Sequence, residues 1–119
     1  MRLDHVQVSC PPGGEEVARA FYRDALGLTE IAKPPLLAAR GGCWFKQGDA
    51  EIHVGVEADF RPARKAHPAF AAGDLDALAA KLEALGYPVT WDNETIPGRR
   101  RFHTADGHGN RIEIVQQNP

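Results

Sequence analysis

Four side chains of metal-ligating type recur at matched intervals: His5 and His53, then His67 and Glu113, 48 and 46 residues apart. Imidazoles and a carboxylate converging in one place suit a divalent first-row metal with open coordination positions. Imidazole favours zinc, nickel, cobalt, copper or iron, and the carboxylate admits manganese. Taken singly, each residue has a plainer role: His5 and His67 as strand-end histidines bonded to backbone, Glu113 as one half of an ion pair with an arginine. Their coincidence in position makes a shared site the sharper expectation.

Positioning them requires strands. Residues 3–8 alternate, with Val6 and Val8 on one face and Leu3, His5 and Gln7 on the other, the period of a half-buried strand. CPPGG breaks it, and EEVARAFYRDALG follows as a helix, with acids where its N-terminus favours negative charge and Gly27 as its stop. Val17, Phe21 and either Ala20 or Ala25 give it an apolar face. Residues 28–32, 36–40, 43–46 and 51–56 then read as strands joined by KPP, GG and QGD. In the last of these Ile52, Val54 and Val56 share a face, leaving Glu51, His53 and Gly55 opposite.

EADFRPARKA has charge, Pro62 and little periodicity, and reads as a surface connector. The pattern then restarts. HPAFAA gives a strand with His67 and Ala69 on one side and Phe70 on the other. Asp74 caps LDALAAKLEALG, a helix with the stripe Leu75, Leu78, Leu82, Leu85 and Gly86 as its stop. Residues 88–91, 99–104 and 111–115 read as strands, and the tail QQNP as frayed. In the last strand Ile112 and Ile114 share one face and Arg111, Glu113 and Val115 the other.

The order is therefore strand, helix and three strands, twice over: an α+β chain of two tandem βαβββ modules, residues 1–57 and 67–117, joined by a connector at 58–66. One helix covers one face of each sheet. The other face carries His5 and His53 in the first module and His67 and Glu113 in the second, provided the register holds, because a one-residue slip sends each side chain to the opposite face.

The stretches LDHVQV, FYRDALGL, AEIHVGVE, HPAFAAGDLDALAAKLEALG and DGHGNRIEIVQ resemble the vicinal oxygen chelate superfamily, the glyoxalase, bleomycin-resistance and extradiol dioxygenase group, over essentially the whole chain. The resemblance implies a cupped, barrel-like mixed sheet with helices outside, built around a divalent metal (Zn, Ni, Fe, Mn or Co). It also implies His5, His67 and Glu113 as ligands, with His53 as a fourth ligand or the catalytic base. His53 stands where glyoxalase I enzymes carry glutamate, and DGHGN replaces the more usual DPxGN. The serine-rich loop of the fosfomycin-resistance members is absent from the sequence.

Other residues add to the picture. Alternation sends Arg99 and Arg101 to one face of their strand and Arg100 to the other. The plain role of this cluster is a solvated, charge-blunted edge, while the chemical one puts Arg101 at the cavity mouth as a fork for a substrate carboxylate or phosphate. His103 is a substrate-contacting or acid/base candidate against the plainer role of an exposed strand residue. His108, in a glycine turn, is expected to be exposed. Trp44 is expected to line the substrate pocket, with Phe45 and Trp91 as further aromatic candidates.

A chain of 119 residues, 43% hydrophobic and 25% charged, fits one globular domain, and a net charge of -2 gives no pull toward nucleic acid or membrane surfaces. Cys10 and Cys43 lack CxxC spacing and are expected as buried thiols. MRLDHVQVSC has no basic segment followed by a long apolar run, so a cytoplasmic location is expected. The function expected is a metal-dependent small-molecule enzyme with lyase, isomerase or dioxygenase chemistry, working as a homodimer. The alternative is a metal-free small-molecule or drug-binding protein.

Overall fold

The computed structural model describes residues 1–117, so Asn118 and Pro119 of the tail expected to fray lie outside the described residues. The first module comprises β1 (Val6–Cys10), α1 (Glu15–Arg19) with a π-helical continuation over Ala20–Ala25, β2 (Thr29–Ile31), α2 (Pro35–Ala38), β3 (Cys43–Gln47) and β4 (Ala50–Val56). The second comprises β5 (Ala69–Ala72), α3 (Leu75–Ala84), β6 (Thr90–Asp92), β7 (Arg101–Ala105) and β8 (Arg111–Gln116). Each module forms one four-stranded mixed sheet, ordered β1-β4-β3-β2 and β5-β8-β7-β6, and neither closes into a barrel.

The two sheets share one lattice. In the first, β1 runs parallel to β4 and pairs Gln7 with His53, while β3 runs antiparallel and pairs Trp44 with His53. In the second, β5 runs parallel to β8 and pairs Ala69 with Glu113, while β7 pairs His103 with Glu113. Because alternate residues point to opposite faces, Val6, Val8, Cys43, Phe45, Ile52 and Val54 face the helix side. His5, Trp44, Glu51 and His53 face the other way. The second sheet repeats this division, with Phe70, Phe102, Ile112 and Ile114 inward under the helix and Arg101, His103, Arg111 and Glu113 outward.

The helices are built unlike one another. Asp74 caps α3 by accepting a hydrogen bond from Ala77 N at 3.0 Å, and Leu75 and Leu82 are buried, although Leu85 at the end of the stripe is exposed. In the first module no side chain caps α1, and the helix widens after Arg19 into i→i+5 bonding, with Leu26 N donating to Phe21 O at 2.9 Å. The widening turns both Phe21 and Tyr22 inward, each fully buried, and leaves Val17 exposed instead of on the apolar face. Gly27 and Gly86 end the two helices at φ 82° and 92°.

Three further local expectations are corrected. Residues 36–40 are not a strand: Pro35 opens a single helical turn there, since its fixed φ suits the first helical position and it brings no N–H to a ladder. Gln116 is the last residue of β8, not part of a frayed tail. His108 is half-buried, its Nε2 2.8 Å from Gly14 O, and a Cβ on Gly14 would stand 2.7 Å from that same Nε2. The bare glycine is what lets the β7–β8 turn dock against the start of α1.

The same turn carries the main polar tie between modules. Asp106 and Asn110 are buried. Tyr22 Oη donates to Asp106 at 2.7 Å, Asn110 Nδ2 donates to Ser9 O at 2.8 Å and to Asp106 at 2.9 Å, and Ala63 N donates to Asn110 Oδ1 at 3.0 Å. Two side chains thus satisfy β1, the connector, the helix and the turn together, and buried polar groups this fully paired hold one arrangement. Cys10 and Cys43 are free and buried, and burial raises both thiols, Cys43 to about 11.

Candidate metal centre

On the outward face of the second sheet His67, His103 and Glu113 present ligand atoms that all lie within 4.8 Å of one another. Their placement follows from the lattice. Glu113 sits mid-strand on β8, His103 is directly across from it on β7, and His67 leads into β5, whose Ala69 is its other neighbour. His67 Nε2 is 3.0 Å from Glu113 Oε1, and His103 Nε2 is 3.5 Å from the same atom. His67 Nδ1 lies 2.7 Å from Lys65 O and donates to it, which fixes the ring and turns Nε2 toward the carboxylate.

The protonation states of Glu113 and His103 suit this donor set, whereas His67, donating from both ring nitrogens here, gives up its Nε2 proton on binding a cation. Burial pushes the Glu113 carboxyl up, but the hydrogen bond from His67 and the charge of Arg101 outweigh it and hold it below the ordinary value. Burial, and then the positive charge of Arg111, depress His103 below an ordinary histidine. An ionised carboxylate and a neutral imidazole are the forms that bind a cation. Ligand atoms about 2.1 Å from a shared ion stand about 3.0 Å apart at a right angle and about 3.4 Å apart at a tetrahedral angle. The two separations measured from Glu113 Oε1, 3.0 and 3.5 Å, match that spacing, and with all three ligand atoms within 4.8 Å of one another the set could hold a divalent metal.

Arg101 closes this cluster. Its Nη1 donates to Glu113 Oε1 at 3.2 Å and its Nη2 to Asp92 Oδ2 at 2.8 Å, while its buried Nε has no partner. Hydrogen bonds from Thr95 and from Arg101 hold the Asp92 carboxyl well below the usual range. Of the neighbouring arginines, Arg100 turns to the other face, forming a two-point ion pair with Asp76 at 2.8 and 3.0 Å and lying over Trp91 at 4.7 Å.

His5 and His53 are placed differently. Their rings stack on each other at 4.0 Å, and Trp44 stacks on the far side of His53 at 3.8 Å with an interplanar angle of 3°. His53 Nε2 lies 2.7 Å from Glu51 Oε2, and His5 Nδ1 lies 2.9 Å from Asp4 Oδ2. Trp44 thus covers an imidazole, while Phe45 points into the core and is fully buried. A cavity of about 440 Å³ between the modules is lined by His5, Glu51 and His67, so one histidine of each group borders it, while His53, His103 and Glu113 are not part of its lining. The structure brings His67 and Glu113 together with His103. It holds His5 and His53 as a separate stacked pair.

Glu51 was visible from alternation as a neighbour of His53 on the same face, but its bond to the imidazole was not, because an i,i+2 contact depends on rotamer. No helix in the described residues is long and apolar enough to cross a membrane.

Comparison with known proteins bears on the fold and family. Among curated proteins none matches the sequence. A glyoxalase family protein from Bacillus anthracis is 47% identical in sequence, with a TM-score of 0.93 over 99% of this chain and 96% of its own. The genomically encoded fosfomycin resistance protein FosX from Listeria monocytogenes shares the fold at 15% identity, TM-score 0.79, covering 99% of this chain and 94% of its own. TnmS3, an antibiotic binding protein from Streptomyces sp. CB03234, shares it at 24% identity and TM-score 0.72, covering 99% of each chain. The sequence model of the Glyoxalase/Bleomycin resistance protein/Dioxygenase superfamily matches residues 2–114, and the chain belongs to that superfamily.

Proposed function

We propose that the chain is a metal-dependent enzyme acting on a small molecule that offers two adjacent oxygens. The observation that carries this is the convergence of His67, His103 and Glu113 within 4.8 Å on one sheet face. These three would hold the ion, with His5 as a further ligand from the bordering cavity. Bound there, a divalent cation supplies Lewis-acid stabilisation of negative charge developing on the substrate oxygens.

The chain's own groups would do the rest. His53, its Nε2 held by Glu51 at 2.7 Å, leaves Nδ1 as a proton acceptor, which makes it the candidate base. Trp44 and His5 keep that ring flat and shielded, and Trp44 itself borders a separate groove with Lys33 and Arg40. Arg101 holds Glu113 ionised and oriented. The working unit is proposed as a homodimer, since Leu3 lines the cavity while remaining 75% exposed.

Native mass spectrometry of protein purified without chelators or a nickel column reads both claims. One tightly held divalent ion per chain, on a species of twice the chain mass, is expected. A chain that carries no metal and takes none up on dialysis removes the enzyme reading and leaves metal-free binding on the Trp44 stack. A monomer mass removes the dimer.

A further inference from the structure

We infer that the substrate carries an oxyanion beside its metal-binding oxygens, and that Arg111 receives it. This rests on the metal reading above and adds the charge of the substrate. Arg111 lies on β8 two residues before Glu113, so strand alternation puts both on the outward face. Its main chain is pinned by donation from Arg111 N to Ala63 O at 2.8 Å. The residue is half-buried. Among the described residues its guanidinium has no ion pair and no hydrogen-bond acceptor.

Its neighbours make that singular. Arg99 donates to Gln116 O, Arg100 pairs with Asp76, and Arg101 pairs with Asp92 and Glu113. The first module shows what the same lattice position holds when it is internally paired. Glu51 stands two residues before His53 as Arg111 stands two before Glu113, and Glu51 faces Lys46 across the strand pair at 3.8 Å. The residue across from Arg111 is Ala105. The second module has thus put a cation where the first has an ion pair, and opposite it has left a methyl group that makes room.

A guanidinium drawn partly out of water without an acceptor is costly, and a bound anion removes that cost through paired N–H donors. Charge balance on the face points the same way. On the outward face of the second sheet Arg101 is offset by Asp92, so Arg111 is the positive charge left there without a counterion. A ligand with an ionised carboxylate or phosphonate next to two chelating oxygens neutralises it. The plainer role for Arg111, a solvated strand end, predicts no effect on ligand preference.

The test is calorimetric titration of Zn²⁺-loaded protein with catechol, with 3,4-dihydroxybenzoate and with 3,4-dihydroxyphenylphosphonate. All three offer adjacent oxygens, and the last two add a carboxylate or a phosphonate. The better anion is expected to bind at least about tenfold tighter than catechol, and which of the two it is identifies the group. Arg111→Ala should abolish that preference with catechol affinity and Zn²⁺ content unchanged, and Arg111→Lys should keep part of it. Equal affinities in the native protein, or a preference that survives Arg111→Ala, overturn the inference. Zn²⁺ content of the same samples judges the metal reading separately. If no Zn²⁺ is retained, benzoate is titrated against benzamide on the metal-free protein. Arg111 then stands if benzoate binds and Arg111→Ala removes it, and falls if not.

Discussion

The outward faces of the two modules are the same lattice with different chemistry on it. His53 and Glu113 occupy matching places, mid-strand and flanked by Trp44 in one sheet and His103 in the other, and His5 and His67 each lead into the first strand of their module. In the first module the occupants are flat rings, and they stack at 3.8 and 4.0 Å. In the second a carboxylate replaces the central ring, and the flanking imidazoles turn their nitrogens toward it, at 3.0 and 3.5 Å. A backbone frame supplies positions, and one side chain at the centre decides between an aromatic stack and a donor cluster.

The largest test of that contrast is to remove each centre in turn. Glu113→Gln should weaken divalent metal binding by about 100-fold or more, whereas His53→Ala should change it by less than about tenfold, both read by competition with a chelating dye. Equal losses would make the two faces one site and dissolve the contrast. The turns that precede the two central strands differ just as sharply. Asn110→Ala strips bonds to Ser9, Ala63 and Asp106 and should cost about 2–3 kcal/mol in chemical denaturation. Asp49→Ala, in the exposed turn of the first module, should cost less than about 0.5 kcal/mol. Comparable costs would mean that the second turn is no latch.

The smallest effect is on acid stability. His103 and Glu113 both titrate below their ordinary values in the folded chain, so the unfolded state binds more protons as pH falls. The stability they contribute is complete above about pH 6.5, and it is lost in two steps, first below that value for His103 and then below about 4.5 for Glu113. Tm of the metal-free protein against pH should show both steps. His103→Ala should remove the upper one and Glu113→Gln the lower.

Much of this frame was legible in the residues. Alternation placed His53 with Glu51 and Glu113 with Arg111, because a period of two is a property of the strand and needs no partner. Asp74 and Gly86 marked α3 for the same local reason. The partnership of His103 with Glu113 was not legible, since it depends on which strands are neighbours and in what register, and nothing in either strand alone encodes that. The stack of His5, His53 and Trp44 was hidden likewise: it needs Trp44 across the sheet and a ring orientation that spacing does not specify. At residues 36–40 a short apolar run was ambiguous between strand and helix, and Pro35 decided it. His108 was misjudged because a glycine turn normally faces water, whereas this one is docked on Gly14.

The π-helical segment sets the helix of the first module apart from α3 of the second. A helix with i→i+5 bonding contains one residue more than an α-helix of the same reach, and here the surplus falls where Phe21 and Tyr22 both turn inward. Phe21 meets Tyr87 of the other module edge-on at 5.1 Å, and Tyr22 reaches Asp106. Deleting one residue between Arg19 and Ala25 would restore a regular helix, yet it would rotate one of these rings away from the seam. The seam is therefore made from both sides, Phe21 and Tyr22 reaching from the first module and His108 and Asn110 from the second.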